Sequence, residues 1–202
     1  MKRIVLLFLA LCLLIPALAG AEAPDHEHAW GEWTHNNEGG THTAECAVCG
    51  ESRTVKCYNT TVTINENRIN VCLFCGYAPF GMLSVIPEAK ATPVENDSKA
   101  QHGVFVARGI EKPFGEKEPG ILYAFTIAYC LDGGLATFKN KSVVSLPLKL
   151  DLPEGFKLEK VSVSSGDDST QRKEEWIDTD YTYEDGVLSF ISKSSTLYLI
   201  TH

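Results

Sequence analysis

The tightest constraint on this chain is a pattern that occurs twice. Cys46-Ala-Val-Cys49-Gly50 and Cys72-Leu-Phe-Cys75-Gly76 are two copies of C-x-x-C-G, separated by 22 residues. Two residues between cysteines let both thiolates face one metal ion while neighbouring N–H groups turn toward the sulfurs. The glycine that follows relieves the tight turn. A structural zinc site takes four ligands in a tetrahedron, and paired knuckles of this kind are its usual source. Histidines crowd the same region. His26, His28, His35 and His42, four of the six in the chain, fall within seventeen residues just ahead of the first knuckle.

Residues 25–81 hold little else that would fold unaided. Their larger apolar side chains are Trp30, Trp33, Val55, Val62, Ile64, Ile69, Val71, Phe74 and a few others, too few for a core of their own. A bound structural zinc contributes on the order of 10–16 kcal/mol of folding free energy in small peptides, enough to offset that deficit. The expected cofactor is therefore Zn²⁺ in a structural role, as one or two ions, with Trp30 and Trp33 capping the site against water.

In chain order the ligands fall into two units. The first is His28, His42, Cys46 and Cys49. The second is Cys57, Cys72 and Cys75, with no Cys or His between residues 58 and 71 to complete it. Glu66, a water, or a histidine from elsewhere (His26 or His35) would supply its fourth ligand. Alternatively the two knuckles share one ion in ribbon fashion. A disulfide set such as Cys46–Cys72 with Cys49–Cys75 is the rival, because an even number of cysteines in an exported chain often means staples.

The strings H-x-W-x-x-W from His28, N-N-E-G-G-T-H-T from Asn36, C-x-x-C-G, Cys57 and a second C-x-x-C-G-Y resemble the short zinc-binding repeats of secreted and surface proteins of Gram-positive, gut-type bacteria. The resemblance covers roughly residues 26–81. It implies His28, His42, Cys46 and Cys49, then Cys57, Cys72 and Cys75, as ligands, in modules that are structural or interactive and carry no catalysis. The pattern would place a further cysteine before Cys72, which this chain lacks. The ending YEDGVLSFISKSSTLYLITH similarly resembles the last strands of small β-sandwich modules in such proteins, through Asp185-Gly186, Phe190 and Tyr198.

The start of the chain reads as an export signal over residues 1–21. Lys2 and Arg3 precede the apolar run IVLLFLALCLLIPALA, and small-x-small cleavage points follow Ala19, Ala21 and Ala23. A secreted or cell-surface location follows, with no transmembrane segment expected in the mature chain. The whole chain carries a net charge of −8; without Lys2 and Arg3, 16 basic residues face 26 acidic ones, or −10. No run of Lys or Arg interrupts this acidity, so nucleic acid is not an expected partner.

Beyond residue 81 the composition changes. Residues 82–103, including PEAKATPVENDSKAQHG, read as a linker or connecting strand. From Val104 to His202, VFVARGI, ILYAFTIAYCL, SVVSLPLKL, KLEKVSVS, GVLSFIS and TLYLITH are β-branched and aromatic runs of strand length, divided by turns such as LDGG and YEDG. The fold expected is mainly β: a small zinc-ribbon-like N-terminal module followed by an antiparallel β-sandwich over 104–202. This half offers no catalytic constellation. Its histidines are His102 and His202, its one cysteine is Cys130, and its carboxylates sit in turns. The expected function is thus an exported, non-catalytic protein that binds or adheres to an unknown protein or glycan at the cell surface. The alternative is a metal handler or zinc-dependent hydrolase using Cys57, Cys72 and Cys75 with an open fourth position.

Overall fold

The computed structural model describes residues 26–36, 40–64, 66–94, 101–131, 134–165 and 172–202. The export segment expected over residues 1–21 lies outside them. Among the described residues there are eighteen β-strands, a 3-10 turn at Gly115–Lys117, and no α-helix.

The front third forms three small antiparallel pieces. Strands β1 (Thr34–Asn36), β2 (Thr41–Glu45) and β3 (Ser52–Lys56) make a meander. Alternation in β2 sends His42 and Ala44 inward and Thr41, Thr43 and Glu45 outward. Polar rungs hold this sheet in place of an oily face. Asn36 Nδ2 donates to Thr41 and Thr43 Oγ1 at 2.9 and 2.8 Å, and the Thr43 and Thr54 hydroxyls meet at 2.7 Å. Strands β4 (Asn59–Ile64) and β5 (Asn67–Cys72) form a hairpin, and β6 (Tyr77–Ala78) and β7 (Gly81–Met82) a minimal one.

The rest is a two-sheet antiparallel sandwich. Its strands are β8 (Ser84–Val85), β9 (Lys90–Pro93), β10 (Val104–Glu111), β11 (Ile121–Leu131), β12 (Gly134–Ala136), β13 (Ser142–Pro147), β14 (Lys157–Ser165), β15 (Arg172–Asp178), β16 (Tyr181–Glu184), β17 (Val187–Ser192) and β18 (Thr196–Thr201). One sheet runs β15-β14-β18-β11-β10-β8, with β12 added to β11; the other runs β16-β17-β13-β9. Lys90–Pro93 has no apolar alternation, yet it pairs with β13 as an edge strand, where backbone bonding is sufficient. Residues 82–94 thus contribute β8 to one sheet and β9 to the other. Phe125, Ile127, Leu146, Leu158, Leu188, Phe190, Tyr198 and Ile200 fill the space between the sheets.

Strands β11 and β18 are apolar at nearly every position, a pattern that belongs to sheets covered on both faces. Here the second cover is the front third. In β18, Tyr198 and Ile200 face the sandwich core while Leu197 and Leu199 face the other way. Those two, with Ile121, Ala124 and Val161, pack against Val62, Ile64, Val71, Ala78 and Leu83. Two polar contacts pin the same interface: Glu174 accepts from the Thr63 N–H at 2.7 Å, and Arg108 Nε donates to the Phe74 carbonyl at 3.1 Å. The Cys/His-rich region therefore shares a core with the sandwich.

Candidate metal centres

The two knuckles have matching backbones. In each, the glycine N–H donates to the carbonyl of the first cysteine, Gly50 to Cys46 at 2.9 Å and Gly76 to Cys72 at 3.0 Å. Both glycines are left-handed, at φ +73° and +76°. Their surroundings differ. A Cβ on Gly50 would meet nothing within 4 Å, whereas on Gly76 it would lie 2.8 Å from the Leu83 carbonyl oxygen and 2.9 Å from Arg108 Cδ. Gly50→Ala is expected to cost about 1–2 kcal/mol from backbone strain alone. Gly76→Ala is expected to cost about 1–3 kcal/mol more from overpacking, read by denaturant unfolding of the metal-loaded protein.

Two sets of four donors gather around these turns. His26, His28, Cys46 and Cys49 form one, His42, Cys57, Cys72 and Cys75 the other, and within each set all ligand atoms lie within 4.8 Å of one another. In the first, Cys46 Sγ is 3.6 Å from His26 Nε2 and Cys49 Sγ is 3.7 Å from His28 Nδ1. In the second, Cys57 Sγ is 3.6 Å from His42 Nδ1 and 4.0 Å from Cys75 Sγ. A tetrahedral ion with zinc-sized bonds sets S···N edges of about 3.6 Å and S···S edges of about 3.8 Å. Each set can hold one metal ion.

All seven residues expected as ligands lie in these clusters, but the grouping by chain order is corrected. His42 belongs with Cys57, Cys72 and Cys75, and its place beside Cys46 and Cys49 is taken by His26. The strand register is the reason. Thr41 pairs with Lys56 and His42 with Val55, so β2 and β3 carry His42 to Cys57. The two knuckles fall in different donor sets, so the ribbon-like arrangement around one ion is not the one found. Glu66 sits exposed in the β4–β5 turn at φ 64° and is in neither set. The six cysteines of the described residues are free thiols, so Cys46–Cys72 and Cys49–Cys75 disulfides are absent. His26 completes the first set of donors, and its trace in the sequence is the His-x-His string ahead of Trp30.

The thiols are prepared unequally for metal. Burial opposes ionisation of Cys46, but N–H groups of Cys49 and Val48 and the rings of His26 and His28 bring it down to about 5. Cys72 falls to about 3, chiefly through its hydrogen bond with Cys75; burial opposes, and His42 and the Cys75 and Phe74 N–H groups add. Cys57 is pushed up to about 11 by burial and by the neighbouring Cys72, and Cys75 is raised by its bond to Cys72 and by burial. Ionisation is thus favoured at Cys72 and opposed at Cys57 and Cys75. A divalent ion taken up at this set displaces the protons of Cys57 and Cys75.

Aromatic rings enclose both centres, one tryptophan for each. His28 stacks on Trp30 at 4.7 Å, and Arg53 lies 5.8 Å above the same ring. His28 turns its other nitrogen, Nε2, to the Glu51 carboxylate at 3.6 Å, which leaves Nδ1 for an ion. His42 stacks on Phe74 at 4.6 Å, with Trp33 edge-on to both. The centres differ in depth: His42, Cys72 and Cys75 are fully buried, while Cys49 is exposed. Cys130 packs half-buried beside the second cluster, its thiol pushed up to about 12 by burial.

No family model matches this chain, and no curated protein or solved structure matches it either.

Proposed function

We propose that this is an exported, non-catalytic binding protein whose front third is held by two structural Zn²⁺ ions and whose sandwich meets a protein or glycan partner at the cell surface. The observation that carries this reading is the donor count. Each cluster offers four protein ligands, His₂Cys₂ in one and HisCys₃ in the other, and structural zinc sites are closed in this way. The hydrolase alternative rested on Cys57, Cys72 and Cys75 leaving a position open, and His42 fills that position. Export is supported by the sequence of residues 1–21 and by the likeness to surface-protein repeats.

A groove of about 360 Å³ between the two halves is suited to a partner. Trp30, Trp33 and Phe74 line one side, Val106, Arg108 and Leu131 the other. Leu131 and Val104 at its rim are exposed, at 48% and 70%.

Fractionation of the producing cells tests the whole reading. The expected result is a mature chain beginning at residue 20, 22 or 24 in the medium or envelope fraction, binding isolated envelopes in a manner that Leu131→Glu abolishes. An intact chain confined to the cell interior would contradict export. Hydrolysis of an ester, peptide or glycoside that stops on chelation would contradict the non-catalytic role.

A further inference from the structure

The second cluster has a fifth donor beside it. Strands β1 and β2 are in register so that His35 stands directly opposite His42, and side chains so placed share one face of the ladder. Both rings present Nδ1 to Cys57 Sγ at 3.6 Å. His35 Nδ1 is also 3.8 Å from Cys75 Sγ, and the two sulfurs are 4.0 Å apart. His35, Cys57 and Cys75 therefore form a triangle that a tetrahedral zinc fits, with edges close to the required values of about 3.6 and 3.8 Å. The Cys57–Cys75 edge is common to this triangle and to the set completed by His42 and Cys72.

The two sides of that edge differ in access. His42 and Cys72 are fully buried. His35 and Cys57 are half-buried, and the His35 ring lies flat on exposed Tyr77 at 3.7 Å and 7°.

We propose that His35 is the entry ligand of the second centre, through which zinc is loaded and exchanged; this rests on the structural-zinc reading above. An arriving ion is held by Cys57, Cys75, His35 Nδ1 and a water. The bonds to His35 and to water then break as those to His42 Nδ1 and Cys72 Sγ form. His35 offers its Nδ1 lone pair with the ring N–H on Nε2, and the thiol protons displaced from Cys57 and Cys75 pass to solvent. Release runs the same steps backward.

An entry ligand speeds loading and release alike and leaves the affinity unchanged, whereas a residue that only hydrogen-bonds a bound thiolate changes the affinity. The test is exchange of bound zinc for an isotopically enriched zinc salt in the full-length holoprotein, followed by native mass spectrometry. Two exchange phases are expected, one per centre. In His35→Asn one phase slows by about tenfold or more, the change that about 1.4 kcal/mol on the exchange barrier gives. Zinc content stays at two, and affinity in chelator competition is unchanged. Tyr77→Ala, which removes only the support of the ring, slows the same phase by less. Unaltered exchange in both variants overturns the proposal, as does a weakened affinity with unaltered loading, or loss of the second zinc from His35→Asn. A wild-type protein that binds no zinc would instead overturn the reading on which the proposal stands.

Discussion

Stripping the metal with a strong chelator will unfold residues 26–82 and leave the sandwich core standing. Each structural zinc contributes on the order of 10–16 kcal/mol in small peptides, while a whole domain has about 5–15 kcal/mol to lose. The front meander has polar rungs and few buried apolar groups to hold it once the ions leave. The sandwich keeps Phe125, Leu146, Phe190 and Tyr198 packed between its sheets. It also loses cover, because Leu197, Leu199 and Ala124 face the front hairpin. The expected result is rapid proteolysis confined to residues 26–82 and new binding of a hydrophobic dye. The melting temperature of the remainder falls by at least about 10 °C, at about 2–4 °C per kcal/mol for a chain of this size. Uniform resistance to protease after complete metal removal would contradict the account.

The two centres should not be equal in that collapse. Cys57→Ser removes the sulfur that touches His42 and Cys75, in a cluster whose other members are fully buried. It takes one donor from a set whose His42, Cys72 and Cys75 are fully buried, so water cannot replace the lost ligand. His26→Ala opens the first centre, where Cys49 is exposed and water can solvate what remains. Both variants are expected to drop from two zinc ions to one. Only Cys57→Ser should lose the cooperative unfolding of the front third with the sandwich, as read by denaturant titration with two spectroscopic probes. His26→Ala retaining two ions would restore the grouping by chain order, with His42 beside Cys46 and Cys49.

That grouping marks where the sequence stops being readable. The knuckle spacing dictates ligand type and turn geometry, because both are local, and the two turns match in their glycine hydrogen bonds. Which histidine meets which knuckle depends on the register of β2 against β3, a non-local quantity. The strands of the sandwich are visible in their β-branched and aromatic runs, and the continuous apolarity of ILYAFTIAYCL and TLYLITH is visible too. What covers the outer face of these strands is not. The region from Val62 to Leu83 has too few apolar residues for an interior of its own, and the structure explains why so few suffice: they lie against Leu197, Leu199 and Ala124. Lys90–Pro93 carries no strand pattern of its own, because an edge needs backbone partners and no alternation.

Native mass spectrometry of the protein, isolated without added metal, tests the central idea that thiolate and imidazole coordination organises the front of the molecule. The account predicts a chain carrying two zinc ions and six reduced cysteines. A metal-free chain with Cys46 and Cys49 oxidised, yet with residues 26–82 still resistant to protease, would contradict it.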